Sequence, residues 1–325
     1  MPRLQHLLAI GFLLISTVRG VNAQSSRDAD RPVEQAGFSG EMSVGYVLIP
    51  VVARTKAGYA DRLDLADFKV TVDGETVPIE SFDHGASAPV TLLILQDLSG
   101  SIANAGKLSL SRFAIERLLV KTLPGDQWAL ASFANGRVGV DVPFTNNVDE
   151  LLMATGKWQP SGVTALHDAV YELPTLSRSV QSARRAAVLI TDGADNASEI
   201  GPKEARQAIR EAELPVYVLG LSTGSPEDLD TSGKKLHRYA DVLNLLAHQS
   251  GGKYFWISSP NDLVRACGSI SSDLRHQYVL GFPTADTGEL RYREIEVSTA
   301  KKKVALTFRK GYLGRAPRVA TRPSM

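Results

Sequence analysis

Apolar and polar positions along the chain fall into three successive rhythms. From Ser39 to about Asp83 the pattern is strand-like. Val44–Val52 is apolar and β-branched, Phe68–Val72 alternates strictly before an Asp73-Gly74 turn, and Val77–Ile79 starts another short strand. Pro89 opens a different rhythm. Apolar runs at Val90–Leu95, Trp128–Phe133, Val188–Thr191 and Val216–Leu221 alternate with helical patterns at Leu108–Leu123, Ala165–Leu173, Pro202–Glu213 and, after a polar loop, His237–Gln249. Such strand–helix alternation predicts an α/β fold, a doubly wound and mainly parallel sheet with helices on both faces. Arg137–Val142 follows Phe133 through Asn135-Gly136 and is predicted to be an antiparallel edge strand.

Asn261–His276 is the last predicted helix of this block. Strand patterns return at Tyr278–Phe282, Tyr292–Val297 and Val304–Phe308, with Ala300–Lys303 as a solvated turn. The strand segments at 39–85 and 277–314 are expected to pair into one small β-sandwich, which makes the α/β block at 86–276 an insertion between them. Residues 24–38 read as a flexible leader and residues 315–325, rich in Pro and Arg, as a disordered tail.

The first 23 residues read as a secretory signal peptide: Arg3, then the apolar Leu7–Ile15, then Val21-Asn-Ala23 as a small-x-small cleavage sequence. The apolar stretch is shorter than the ~20 residues of a spanning helix. The expectation is an exported chain, secreted or periplasmic, cut after Ala23 and left without a stable membrane span. Gln24, not a cysteine, directly follows the cleavage point, so a lipid-anchored form is not expected. Cys267, the only cysteine, shares a helical pattern with Leu263, Ile270 and Leu274 and reads as a buried structural thiol in a chain with no disulfide framework.

Composition narrows the function classes. A length of 325 residues suggests about two folding units at roughly 150 residues each. The net charge is +1, and −1 without the first 23 residues, which carry Arg3 and Arg19 and no acid. That balance gives no argument for nucleic acid or an anionic membrane surface.

Candidate chemistry gathers at the predicted strand ends. Asp97-Leu-Ser99-Gly-Ser101 directly follows one apolar run, Thr164 stands at a loop-to-helix junction, and Asp192-Gly193 ends another apolar run. Two carboxylates and three hydroxyls are oxygen donors of the kind that hard divalent cations prefer. Open parallel sheets bind ligands beyond the carboxyl ends of their strands, so positions far apart in sequence can meet there. Each residue also has a plainer reading: Asp97 as a strand-end turn residue, Ser99 and Ser101 as caps of a helix starting near Asn104. Asp168 and Asp195 read as loop-fixing carboxylates, and His167 as a surface or packing residue rather than a base.

Taken together, Asp97, Ser99, Ser101, Thr164 and Asp192 resemble the metal-ion-dependent adhesion site of von Willebrand factor type A domains. The flanking Asp67-Phe-Lys-Val-Thr-Val-Asp73-Gly74, Tyr278–Phe282 and Arg309-Lys-Gly-Tyr312 are similar to patterns of the subgroup labelled VWFA-related in acidobacteria. The resemblance implies a divalent cation, Mg²⁺ first and Ca²⁺ or Mn²⁺ as alternatives. The hydroxyls of Ser99, Ser101 and Thr164 would be direct ligands, and Asp97 and Asp192 would act directly or through water. It also implies a protein partner that offers an Asp or Glu carboxylate to the ion.

Enzyme signatures do not compete well. Gly100 to Gly106-Lys107 has one residue too many for a phosphate loop, and Leu108 stands where a magnesium-binding Ser or Thr belongs. There is no Gly-x-Ser-x-Gly elbow and no His-Glu-x-x-His or Cys/His cluster. The expectation is a non-enzymatic, metal-dependent, adhesion-type protein-binding module. The alternatives are a scaffold of a cell-envelope complex with an incidental metal and, more weakly, a hydrolase lacking an evident general base.

Overall fold

The structure is a computed structural model that describes residues 44–315, apart from 105, 179–181, 194, 223–237 and 286–289. The expected signal peptide and leader, the loop before residue 238 and the tail from residue 316 lie outside the described residues.

The first strands are β1 (Val44–Thr55), β2 (Gly58–Tyr59), β3 (Phe68–Val72), β4 (Glu75–Val77) and β5 (Ser81–His84). In β3, Phe68, Val70 and Val72 turn inward and Lys69 outward, as period-two alternation requires. Asp73 and Gly74 both take positive φ in the turn to β4. β4 stops at Val77 rather than running to Ile79, because Pro78 has no N–H to give the ladder.

The middle block opens with β6 (Thr91–Asp97) and α1 (Lys107–Leu119), followed by β7 (Gln127–Ala134) and β8 (Arg137–Thr145). α1 ends at Leu119, short of the expected Leu123, where Pro124 disfavours helical backbone in any case. Asn135 and Gly136, both at positive φ, turn β7 into the antiparallel β8. Next come α2 (Val148–Gly156), α3 (Leu166–Tyr171), α4 (Leu173–Ser177), β9 (Arg185–Thr191) and α5 (Pro202–Ala212). β10 (Val216–Leu221), α6 (Arg238–Ser250), β11 (Tyr254–Ile257) and α7 (Pro260–Arg275) complete the block. α2, α4 and β11 here, like β2 and β5 before them, are additional to the elements that the apolar pattern predicts.

These strands form a sheet in the order β11-β10-β9-β6-β7-β8, parallel except for β8. Every residue of β6 is buried. Leu92 and Ile94 join a core with Ile115 and Leu118 of α1 and with Leu263 and Ile270 of α7. Leu93 and Leu95 join the opposite core, with Val170 of α3, Ile209 of α5 and Leu243 of α6. The sheet is thus covered on both faces, which is why its strands read as continuous apolar runs. Cys267 is buried in the first of these cores, where burial pushes its thiol pKa up to about 12.

β12 (Gln277–Ala285), β13 (Leu290–Thr299), β14 (Ala305–Phe308) and β15 (Gly311–Arg315) close the described chain. Arg315, assigned to the tail by its composition, is the last residue of β15. β1 pairs with β12 and β14, and β5 with β12; the second sheet runs β15-β13-β3-β4. One apolar cluster draws on both sheets, including Ile49, Val70, Tyr278, Phe282 and Ile295. Strands from the two flanking segments therefore make a joint β-sandwich.

Ion pairs tie the first strand segment to the middle block and brace that block. Asp273 of α7 meets Arg54 of β1 and Lys253, and the buried Arg184 meets Asp83 of β5. Asp126, with no exposed surface, accepts from the backbone N–H of Val90 at 2.9 Å and of Leu123 at 2.8 Å, and pairs with Arg275 at the end of α7. This one carboxylate fixes the entry to β6, the α1–β7 turn and α7. Replacing it with Ala strands a guanidinium and two N–H groups, so Asp126→Ala should lower the unfolding free energy by about 3–5 kcal/mol in chemical denaturation. A change within experimental error would contradict that role.

Candidate metal centre

From β6 the chain leads through α1 to β7 on one side, whereas β9 lies on the other side of β6. β6 and β9 therefore flank the point where the winding of the sheet reverses, and their carboxyl ends frame the crevice that doubly wound sheets use for ligands. Leu95 and Gln96 lie in register with Leu189 and Ile190. This register sets Asp97, the last residue of β6, beside the Thr191-Asp192 end of β9.

Asp97 is fully buried. Its Oδ1 accepts from the Ser99 N–H at 2.9 Å and its Oδ2 from the Thr191 hydroxyl at 2.7 Å. Burial pushes its pKa upward and the nearby Asp192 charge adds to that, while hydrogen bonds from Ser99 and Thr191 oppose it. Thr191 Oγ1 also accepts from the Gly193 N–H at 3.0 Å. One hydroxyl thus locks the first carboxylate to the backbone that carries the second.

Ser99, 1% exposed, precedes a short 3-10 turn at Gly100–Ala103 but caps no backbone N–H there. Its Oγ lies 3.1 Å from Ser101 Oγ. α1 begins further on, at Lys107, with Gly106 at its N-cap. The capping alternative therefore fails for Ser99, and two adjacent hydroxyls remain beside Asp97 with no helix to serve.

Thr164 is buried on a loop held from three directions. Gly100 N–H donates to Gly162 O at 3.0 Å, and a Cβ at Gly100 would meet that oxygen at 3.1 Å, which suits glycine at this crossing. Asn135 Oδ1 accepts from the Val163 N–H at 2.9 Å. Asn196 Oδ1 accepts from the Thr164 N–H at 3.0 Å, while Thr164 O accepts from the Asn196 and Ala197 N–H groups. The loops bearing Ser99, Thr164 and Asp192 are thereby fastened to one another.

The neighbouring polar residues are loop fasteners, as expected. Asp195 accepts from Ser198 Oγ at 2.7 Å and from the Leu166 N–H at 3.2 Å, and pairs with His167 Nδ1 at 2.7 Å. Asp168 accepts from the Ile200 N–H at 2.8 Å.

Asp192 is different. Its Oδ2 pairs with Lys107 Nζ at 2.8 Å, and its buried Oδ1 has no hydrogen-bond partner. A buried carboxylate oxygen without a donor is costly. Among the described residues no group of three or more His, Cys, Asp or Glu could hold a metal, so any cation here depends on hydroxyls as well as two carboxylates. Oxygen-only donors, one of them orphaned, fit a hard divalent ion.

Thr191, Asn135, Asn196 and Lys107 join the site here without being among the predicted site residues. Thr191 was visible beside Asp192 at the strand end. Lys107 was weighed only as the lysine of a phosphate loop.

Residues 92–194, which contain all five site positions, match the family model of the von Willebrand factor type A domain. The chain carries a von Willebrand factor type A domain. Its fold is similar to an aerotolerance-related membrane protein from Bacteroides fragilis, at 21% identity and a TM-score of 0.45 over 56% of this chain and 98% of that one. It is also similar to a von Willebrand factor type A protein from Catenulispora acidiphila, at 11% identity and a TM-score of 0.48 over 84% and 74%. A third similar structure is proximal thread matrix protein 1 from the mussel byssus with a zinc-occupied adhesion-site motif, at 19% identity and a TM-score of 0.48 over 64% and 50%. No curated protein matches the sequence.

Thr191→Val in this domain would leave Asp97 Oδ2 and the Gly193 N–H unsatisfied at nearly constant volume. The expected loss is about 1–3 kcal/mol of stability by denaturant titration of the metal-free protein. No loss would mean that the lock between the two strand ends carries no weight.

Proposed function

We propose that this chain is an exported, non-enzymatic protein-binding module whose von Willebrand factor type A domain binds its partner through a divalent cation, with Mg²⁺ the first candidate and Ca²⁺ or Mn²⁺ the alternatives. The observation that carries the reading is the buried, unpartnered Asp192 Oδ1 at the strand end locked to Asp97. In this reading Ser99, Ser101 and Thr164 hold the ion through hydroxyls, and Asp97 and Asp192 supply the compensating charge. Hydroxyl ligands donate less charge than carboxylates, so the bound ion stays electrophilic enough to accept a partner's Asp or Glu oxygen. Asp97 is fixed by the Ser99 N–H and the Thr191 hydroxyl, and needs little rearrangement to act. Among the described residues no helix is long and apolar enough to cross a membrane. Export rests on the amino-terminal segment of the sequence.

A second reading, a scaffold of a cell-envelope complex with an incidental metal, is favoured by one feature: Lys107 already gives Asp192 a positive partner. The two readings separate experimentally. Calorimetric titration with Mg²⁺, Mn²⁺ and Ca²⁺ should show one site, lost in Asp97→Ala and in Asp192→Ala with the circular dichroism of the fold retained. Capture of a partner from envelope extract should vanish with chelator. No ion binding at millimolar metal, or capture indifferent to chelator, would overturn the metal-dependent reading.

A further inference from the structure

Lys107 stands in an unfavourable place for a cation. It is the first residue of α1, where the helix dipole presents its positive end, and no acidic residue lies in that first turn. The N-cap is Gly106, which gives no side-chain cap. What offsets this arrangement is Asp192, one strand end away: the ammonium sits 2.8 Å from Oδ2, with the two side chains only 17% and 6% exposed. So shielded a pair is screened less than one on the open surface.

The same carboxylate is the one the cation reading requires. It cannot give its full charge to two cations, and an ammonium beside a divalent ion adds like-charge repulsion in a poorly solvated place. We propose that Lys107 is a tethered competitor for the cation site: without an ion its ammonium is the counter-charge of Asp192, and a divalent ion binds by displacing it. This rests on the metal reading above and deepens it. The ammonium ends a flexible four-carbon side chain, so rotation about its bonds can carry it off Asp192. The affinity for the ion is thereby set below what the five oxygen-bearing residues would give alone.

The test is titration of the full metal-free chain with Mn²⁺ and with Mg²⁺, in the native protein and in Lys107→Met, with Lys107→Gln as a second neutral variant and Lys107→Arg as the charge-retaining control. The neutral variants should bind roughly ten- to hundredfold more tightly, the span expected for removal of a charge-assisted hydrogen bond. Lys107→Arg should gain nothing. Thermal melts add a readout that a merely structural lysine would not move. The metal-free neutral variants should melt below the native protein, because Asp192 loses its counter-charge, and saturating ion should raise their melting point by more than it raises the native one.

Equal affinity in the native and neutral forms would overturn the competitor role and leave the metal site standing. Binding by neither would overturn the metal reading itself. Binding by the neutral variants alone would support the competitor role in its extreme form, an ammonium that replaces the ion in the native chain, and would overturn ion-dependent partner binding.

Discussion

Two carboxylates held at the ends of neighbouring parallel strands, both nearly out of water, need positive charge close by. Asp97 is secured by a main-chain N–H and by the Thr191 hydroxyl, and its pKa is driven up by burial. Asp192 has an ammonium on one oxygen and nothing on the other. The remaining features of this end of the sheet follow from that shortage. The loops of Ser99, Thr164 and Asp192 are fastened to each other by hydrogen bonds to backbone groups.

The rest of the chain holds those strand ends still. β6 is buried along its whole length between α1 and α7 on one face and α3, α5 and α6 on the other. The β-sandwich is tied to this block by Asp273 and Arg184 with their partners, while Asp126 with Arg275 braces the block itself. Each pair has one partner nearly out of water and joins elements distant in sequence, and those of Asp273 and Arg184 oppose slippage of the flanking strands against the sheet. Breaking such pairs is far costlier than their net contribution when intact.

Much of this was legible in the residues. Apolar runs alternating with amphipathic stretches announced the parallel sheet, because a strand covered on both faces must be apolar on both faces. Asn135-Gly136 announced the edge hairpin through its tolerance of positive φ. Asp97 and Asp192 were legible as neighbours because strand ends converge in this architecture, and the register of β6 with β9 sets Asp97 beside Thr191-Asp192. Less visible were the short elements. β11 has four residues and carries an exposed Trp256, so its strand character comes from pairing with β10 rather than from its own pattern. α4 is a single turn that propensity alone does not announce. Lys107 was hidden for another reason: it lies 85 positions from Asp192, and nothing local marks a long-range ion pair.

The most direct measurement is anomalous diffraction from crystals of the full chain soaked in Mn²⁺. The prediction is one strong peak bounded by the oxygens of Asp97, Ser99, Ser101, Thr164 and Asp192, with the Lys107 ammonium moved off Asp192. No peak at that end of the sheet while the ammonium stays in place would contradict it.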